Sequence, residues 1–192
     1  MNSLKAIEKD ALRRRQTYKA VLSNPYVNEE HLWPRVADQA LVVQLLQKHV
    51  LNKVAQLRAM GTPLDQWPLR VHTEFNDIYN WLQDAAPGSS ALLFACNKDA
   101  DIPQVLMQQV PLLAAVSKCA VTLVQLPRGS LATVQKSIGL PCGLLLLPQE
   151  HADPAFMKQV AALTDPQDAP WLQATEYKPA DVKLVKSSAP LK

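Results

Sequence analysis

Catalytic chemistry is thinly represented among the 192 residues of this chain. The histidines are His31, His49, His72 and His151, and no two share a helical turn with the H-E-x-x-H spacing that a zinc hydrolase requires. Cys96, Cys119 and Cys142 lie in apolar runs, odd in number and without a close pair. That pattern makes neither a disulfide framework nor a zinc knuckle, and reads as buried small hydrophobes in a reducing compartment. A Cys96 nucleophile served by a histidine is formally available. Cys96 ends a strongly apolar stretch, however, where a thiol becomes harder to ionise and less reactive. Asp99 and Asp101 follow directly, at a position where α/β folds place ligand and metal sites. The same two acids serve equally well to form a turn and cap a helix opening at Pro103.

Features suited to RNA are better represented. Asn76 and Asp77 fall in the first turn of an expected helix. An Asn amide offers both a donor and an acceptor, and an Asp carboxylate accepts from an exposed base amino or imino group. Such a pair can read base edges in the sheared pairs of a bent RNA, or it can simply cap the helix. Arg70, on the preceding segment, and Asn80, one turn further on, extend this candidate surface. The loop Leu126-Pro127-Arg128-Gly129 is the second candidate. Proline stiffens it, glycine lets a partner's backbone approach, and the arginine can grip phosphate or stack on a base; an ordinary surface loop is the alternative. Arg13-Arg14-Arg15 is the third, a basic arm for phosphate or nuclear import, or else a solvated face. Trp33, Trp67, Trp81 and Trp171 either stack on bases or anchor cores and protein contacts.

These residues need a scaffold, and the hydrophobic pattern supplies one. Leu4, Ile7 and Ala11 suggest a short, weakly amphipathic helix, followed by aperiodic sequence holding Tyr18, Asn24-Pro25-Tyr26 and Trp33-Pro34-Arg35. Asp38 is placed to cap a long helix with Leu41, Leu45, Val50, Val54 and Leu57, stopped by Gly61 and Pro63. Residues 69–72 suggest a short strand, and Phe75, Ile78, Tyr79 and Leu82 a second amphipathic helix. A continuous apolar run at 91–96 predicts a strand buried on both faces, 121–126 the next strand, and 143–147 another buried strand. Between them, Val105, Leu106, Val110 and Leu113 predict a helical face that Pro111 should kink or shorten, and 131–137 a brief helix. Asp153-Pro154 caps a last helix with Phe156, Val160 and Leu163. Alternating strands and helices argue for an α/β fold, a three-layer α-β-α sandwich over residues 36–168 with helices on both sheet faces. Residues 1–35 then form a basic N-terminal arm and 169–192 an extended C-terminal tail.

Composition bounds the function. The net charge of +3 is too small for a freestanding basic nucleic-acid binder. The five glycines, Gly61, Gly88, Gly129, Gly139 and Gly143, form neither a dinucleotide fingerprint nor a Walker A loop. The N-terminus is charged and no apolar run reaches the ~18 residues of a membrane span, so neither secretion nor membrane insertion is expected.

The stretch 69–147 resembles the kink-turn-binding ribosomal-protein superfamily of the L-seven-Ae type. The resemblance rests on Asn76-Asp77 at a helix start, ALLFACNKDADIP (91–103), Val110-Pro111-Leu112-Leu113, VTLVQLPRGSL (121–131) and GLLLL (143–147). The flanks RRRQTYKAVLSNPYVNEEHLWPRV (13–36) and APWLQATEYKPADVKLVK (169–186) are similar to the fungal branch of that superfamily found in nuclear ribonuclease P and ribonuclease MRP. The resemblance implies a non-catalytic subunit that binds the RNA of those particles, with neighbouring protein subunits contacted through the arms. It also implies a nuclear, nucleolar location, no cofactor or small-molecule substrate of its own, and magnesium held by the RNA. An adaptor that contacts only proteins is the competing expectation. The superfamily signature has Gly two residues before the Asn and Lys four after it. Here Glu74 and Asn80 stand there, so a phosphate would meet a negative charge and lose a cation.

Overall fold

The computed structural model describes residues 14–22, 32–63, 66–99, 104–138, 143–169 and 182–190. The expected helix at 4–12 and the features at Arg13, Asn24–Tyr26, His31, Asp101, Pro103, Cys142 and Trp171 lie outside these residues. Two compact units are present, one comprising 1–28 with 174–192 and the other 29–173.

The first unit is a two-stranded antiparallel ribbon. Its strands are β1 (Arg14–Leu22) and β5 (Val182–Pro190), paired over nine positions from Arg14↔Pro190 to Leu22↔Val182. The sequence treats the two ends as separate extended arms. Strand pairing between segments some 160 residues apart leaves no local signature, because it depends on register and not on periodicity.

The second unit is a mixed α/β body built on a three-stranded sheet of order β3-β2-β4. Here β2 is Ser90–Ala95, β3 Ala120–Gln125 and β4 Leu144–Pro148. β2 runs parallel to β3 and antiparallel to β4. In place of a full strand at 69–72 there is a single bridge, with His72 and Leu146 exchanging backbone hydrogen bonds of 2.9 and 2.8 Å. Every residue of β4 and all but the first of β2 are buried. Successive strand residues point to opposite faces, so both faces must be covered. One group of helices packs together as α3 (Phe75–Asp84) and α4 (Gln104–Val116). A second contains α1 (Gln39–Leu46), α2 (Asn52–Ala59), α5 (Ser130–Ile138) and α6 (Pro154–Ala162). Phe156 of α6 stacks on Phe94 of β2 at 6.4 Å and on His49 at 5.0 Å, which places this second group against the face carrying Phe94.

Caps fall where the sequence places them. Asp38 accepts from the Leu41 amide at 2.9 Å, and Asp153, preceding Pro154, accepts from the Ala155 amide at 2.9 Å. The long helix is one continuous rod in which a π-helical turn, Gln47–Leu51, joins α1 to α2. Its buried stripe is Val42, Leu46, Val50, Leu51 and Val54, while Leu41 is exposed. A strict four-residue repeat drifts about 40° per step around an α-helix, and the wider π turn offsets that drift. The other departure is α4. Its core residues are Met107, Val110, Pro111 and Ala114, whereas Val105 is 69% exposed and Leu106 36%. Residues 104–116 contain no charge, so apolar periodicity cannot select one face. The helix also continues through Pro111 to Val116, where the sequence anticipates a kink or shortening.

Leu32, Trp33 and Val36 are buried in the body. Backbone bonds from Ala37 to Leu163 (2.8 Å) and from Asp165 to Arg35 (2.9 Å) tie this entry segment to the end of α6. Among the described residues no helix is long and apolar enough to cross a membrane.

Candidate nucleic-acid interface

Sheet topology brings the candidate residues to one end of the body. β2 and β3 are parallel, so the loops that follow them, 96–99 and 126–129, leave from the same end. β4 runs the other way and begins there, with Cys96 donating to the Gly143 carbonyl at 2.8 Å. The bridge at His72 is antiparallel to β4, so the chain from 72 heads to that end too and enters α3. The segments leading to Asn76 and Arg128 therefore leave from one sheet end, their strand positions three spacings, or about 14 Å, apart.

The Arg128 loop is held from below by a buried carboxylate. Asp99 is 7% exposed. Its Oδ1 accepts from the Gly129 amide at 2.5 Å and its Oδ2 from the Leu131 amide at 2.9 Å. Ser130 Oγ donates to the Pro127 carbonyl at 2.7 Å, and the Leu126 amide donates to the Ala95 carbonyl at 2.9 Å. Leu126 and Ser130 are buried, Pro127 is half-buried, and Arg128 and Gly129 are exposed. Gly129 has φ +88°, a conformation that strains any residue with a Cβ. The result is a pinned turn that presents one arginine to solvent. The sequence points to Asp99 as a turn or cap residue before Pro103. The Asp99 amide does close a turn onto the Cys96 carbonyl at 3.2 Å, and its carboxylate also clamps the start of α5, a contact across 30 residues that is foreseeable only once β2 and β3 are known to be neighbours.

At α3 the backbone N-cap is Glu74, exposed and without a side-chain capping bond. Asn76, Asp77 and Asn80 are exposed, and none of their side chains has an assigned hydrogen bond among the described residues. Neither Asn76 nor Asp77 makes a side-chain capping bond among the described residues, while Asp77 lies in the first turn, where the helix dipole favours its charge. Arg70, also exposed, lines a groove of about 520 Å3 together with Arg58, Trp67, His72, Glu74 and Asp77. Burial holds His72 below the ordinary histidine range. Asp77 opposes that effect, while His151 and Arg70 add to it. Arg58 joins this surface without a signal in the sequence, and Trp67, singled out there by type alone, joins it from a separate element. A larger groove of about 600 Å3 runs along the free edge of β3, but Asp165 is the sole charged residue lining it, which suits phosphate poorly.

Of the enzymatic alternatives, the structure bears on the Cys96 nucleophile. Burial, reinforced by Asp99, pushes the Cys96 thiol up to about 12, so it is essentially un-ionised at neutral pH. Among the described residues no group of three or more His, Cys, Asp or Glu could hold a metal ion. The tryptophans act as anchors: Trp33 is buried, Trp67 Nε1 donates to the Thr62 carbonyl at 2.9 Å, and Trp81 packs 6.5 Å from His72. Of the Arg13–Arg15 run, Arg14 and Arg15 open β1, in the ribbon unit and not in the body.

Residues 13–174 match the family model described as RNase P subunit Pop3. The chain is 42% identical over 190 residues to the "Ribonucleases P/MRP protein subunit POP3" of Saccharomyces cerevisiae, covering 98% of this chain and 95% of the relative.

Proposed function

The chain belongs to the RNase P subunit Pop3 family, and from that premise we propose that it is a non-catalytic, RNA-binding subunit of nuclear ribonuclease P and ribonuclease MRP. In this role it binds and stabilises the RNA subunit for removal of the 5′ leader of precursor tRNA and for precursor rRNA processing, in the nucleus and nucleolus. The body is a three-layer sandwich of the kink-turn-binding type. One observation carries the reading: a rigid loop aims Arg128 outward at the same sheet end where Asn76 and Asp77 stand uncommitted. Arg128 takes phosphate or stacks on an unpaired base; Asn76 and Asp77 read base edges exposed by a bend. Glu74 and Asn80 shift this surface away from a standard kink-turn and towards a related bend or loop. Leu126, Pro127 and Gly129 shape the loop, Arg70 flanks the Asn76–Asp77 pair, and Arg13, Arg14 and Arg15 add phosphate contacts from the arm. The chain holds no cofactor; magnesium belongs to the RNA.

An adaptor role finds support in α4, whose uncharged outer face leaves Val105 69%, Leu112 38% and Val116 54% exposed, as a surface covered by a neighbouring protein would be. Arg128→Ala, and Asn76→Ala with Asp77→Ala, each weaken binding to a transcript of the RNA subunit by about 1–3 kcal/mol per contact, at unchanged thermal stability. Equal affinity for all variants, with no crosslinks from the native particle's RNA to residues 70–80 and 126–131, leaves the adaptor reading in place. Cleavage of precursor tRNA by the purified chain without RNA would overturn the non-catalytic assignment.

A further inference from the structure

The two units carry opposite charge. Residues 1–28 and 174–192 hold ten Lys/Arg and four Asp/Glu, whereas residues 29–173 hold ten and thirteen. The body is thus net negative, and the unit containing the ribbon is net positive by six. Within the paired strands themselves there are five cations, Arg14, Arg15, Lys19, Lys183 and Lys186, and no acid. Strand alternation sorts them. Arg15, Lys19 and Lys183 share one face with Thr17 and Ser187; Tyr18, Ala20, Leu184 and Lys186 share the other. The 2.7 Å bond from Gln16 Nε2 to the Tyr18 hydroxyl fits this assignment, since the two residues are on the same face. Lys19 and Lys183 are diagonal cross-strand neighbours, about 7–8 Å apart, and Arg15 lies four residues, about 14 Å, along the strand from Lys19. All three are exposed. Like charges on adjacent strands destabilise a ribbon, and a two-stranded ribbon is marginal alone. A polyanion would neutralise those charges and hold the ribbon in place.

We propose that the β1–β5 ribbon is a composite RNA-backbone-binding element, in which Arg15, Lys19 and Lys183, from the two ends of the chain, together grip phosphates of the particle's RNA. The inference rests on the RNA-binding reading above and extends it to residues of the C-terminal segment. Its contacts are to phosphate, so the ribbon supplies affinity without sequence preference. The wide, shallow minor groove and the phosphate rims of A-form RNA admit such a ribbon.

The test uses the full chain with two fluorescent probes, a transcript of the RNA subunit and a regular RNA duplex of about 20 base pairs. The variant is Arg15→Gln with Lys19→Gln and Lys183→Gln, which removes the charges, keeps polar side chains and relieves repulsion within the ribbon. Each phosphate contact contributes about 0.7–0.9 to the slope of log affinity against log salt. The triple variant is expected to flatten that slope by about 2–3 on both probes and to lower affinity roughly a hundredfold at 0.15 M salt. Lys19→Arg with Lys183→Arg should retain both. An unchanged slope, with assembly onto other protein subunits lost, would overturn the inference and make the ribbon a protein-docking element. An unchanged slope with assembly intact would overturn it equally. Arg128→Ala measured beside it separates the two proposals: if Arg128→Ala weakens binding to the transcript while the ribbon variant does not, only the ribbon inference fails.

Discussion

Removing the carboxylate of Asp99 tests whether a buried acid holds the Arg128 loop in its presenting conformation. In the native protein its two oxygens accept the Gly129 and Leu131 amides at 2.5 and 2.9 Å. Hydrogen bonds to a charged acceptor contribute about 1.5–3 kcal/mol each. The two are not independent, and the charge itself costs something to bury. The Gly129 amide belongs to an exposed residue and can find water, whereas Leu131 is buried and its amide would be left unsatisfied. Asp99→Ala should therefore destabilise the fold by about 2–4 kcal/mol, with a drop in Tm on the order of 5–15 °C for a chain of this size. Asp99→Asn should fall close behind, because its NH2 group faces one of the two amide N–H groups that the carboxylate formerly accepted. Urea denaturation supplies the free energy, and amide exchange at Leu131 locates it. RNA affinity of Asp99→Ala should also fall although Arg128 is untouched, since a loosened loop must be ordered on binding. A change below about 0.5 kcal/mol, with the Leu131 amide as protected as before, would refute the clamp and with it the rigidity of the loop.

Two further predictions concern titrating groups. Burial lowers the pKa of His72 in the folded chain below its unfolded value of 6.5. Between those two pKa values the unfolded chain binds more protons, so stability rises with pH there and is lost as pH falls below about 6.5; His72→Phe should flatten that acid slope, checked by comparing Tm at pH 7.5 and 5.5 in the two proteins. For Cys96, a pKa near 12 leaves a thiolate fraction at pH 8 about a thousandfold below that of an ordinary thiol. Peptide-resolved mass spectrometry should find Cys96 unmodified by iodoacetamide in the native protein and alkylated in urea; rapid native labelling would contradict its burial.

Legibility in the sequence follows from how local each cause is. Asp38 and Asp153 cap helices within three residues, and both are readable by eye. The apolar runs of β2 and β4 announce buried strands, whereas the run of β3 is broken by Thr122 and Gln125, and β3 is an edge strand in which only Leu123 and Val124 are buried. The outward face of α4 is not readable, since a helix without charge looks the same from every side. The π turn at Gln47–Leu51 is equally hidden: the sequence pattern follows Leu41 and Leu45, while the turn rotates Val42 and Leu46 inward. Among the site residues, Asn76, Asp77 and the Leu126–Gly129 loop are visible by type and spacing. Asp99 as a clamp, Arg58 at the groove, and the partnership of Lys19 with Lys183 are not, because each arises from contacts between elements distant in the chain.

The division of charge between the two units gives the modest net charge of +3 a physical meaning. On the RNA-binding reading proposed above, a negatively charged body would not draw a polyanion to itself over long range; it would recognise RNA already close, through Arg128, Asn76 and Asp77. The ribbon, with five cations and no acid, can attract RNA but has few groups able to distinguish one base from another. Under the proposed RNA-binding function, positioning and readout would fall to different parts of one chain. The two sets of variants should then differ in kind and not only in size. Neutralising the ribbon should weaken binding to every RNA by a similar factor and reduce salt dependence. Altering Arg128 or the Asn76–Asp77 pair should leave the regular duplex nearly unaffected and erase the preference for the bent target. A ribbon variant that lost preference, or a loop variant that lost only affinity, would show that the two tasks are not separated in this way.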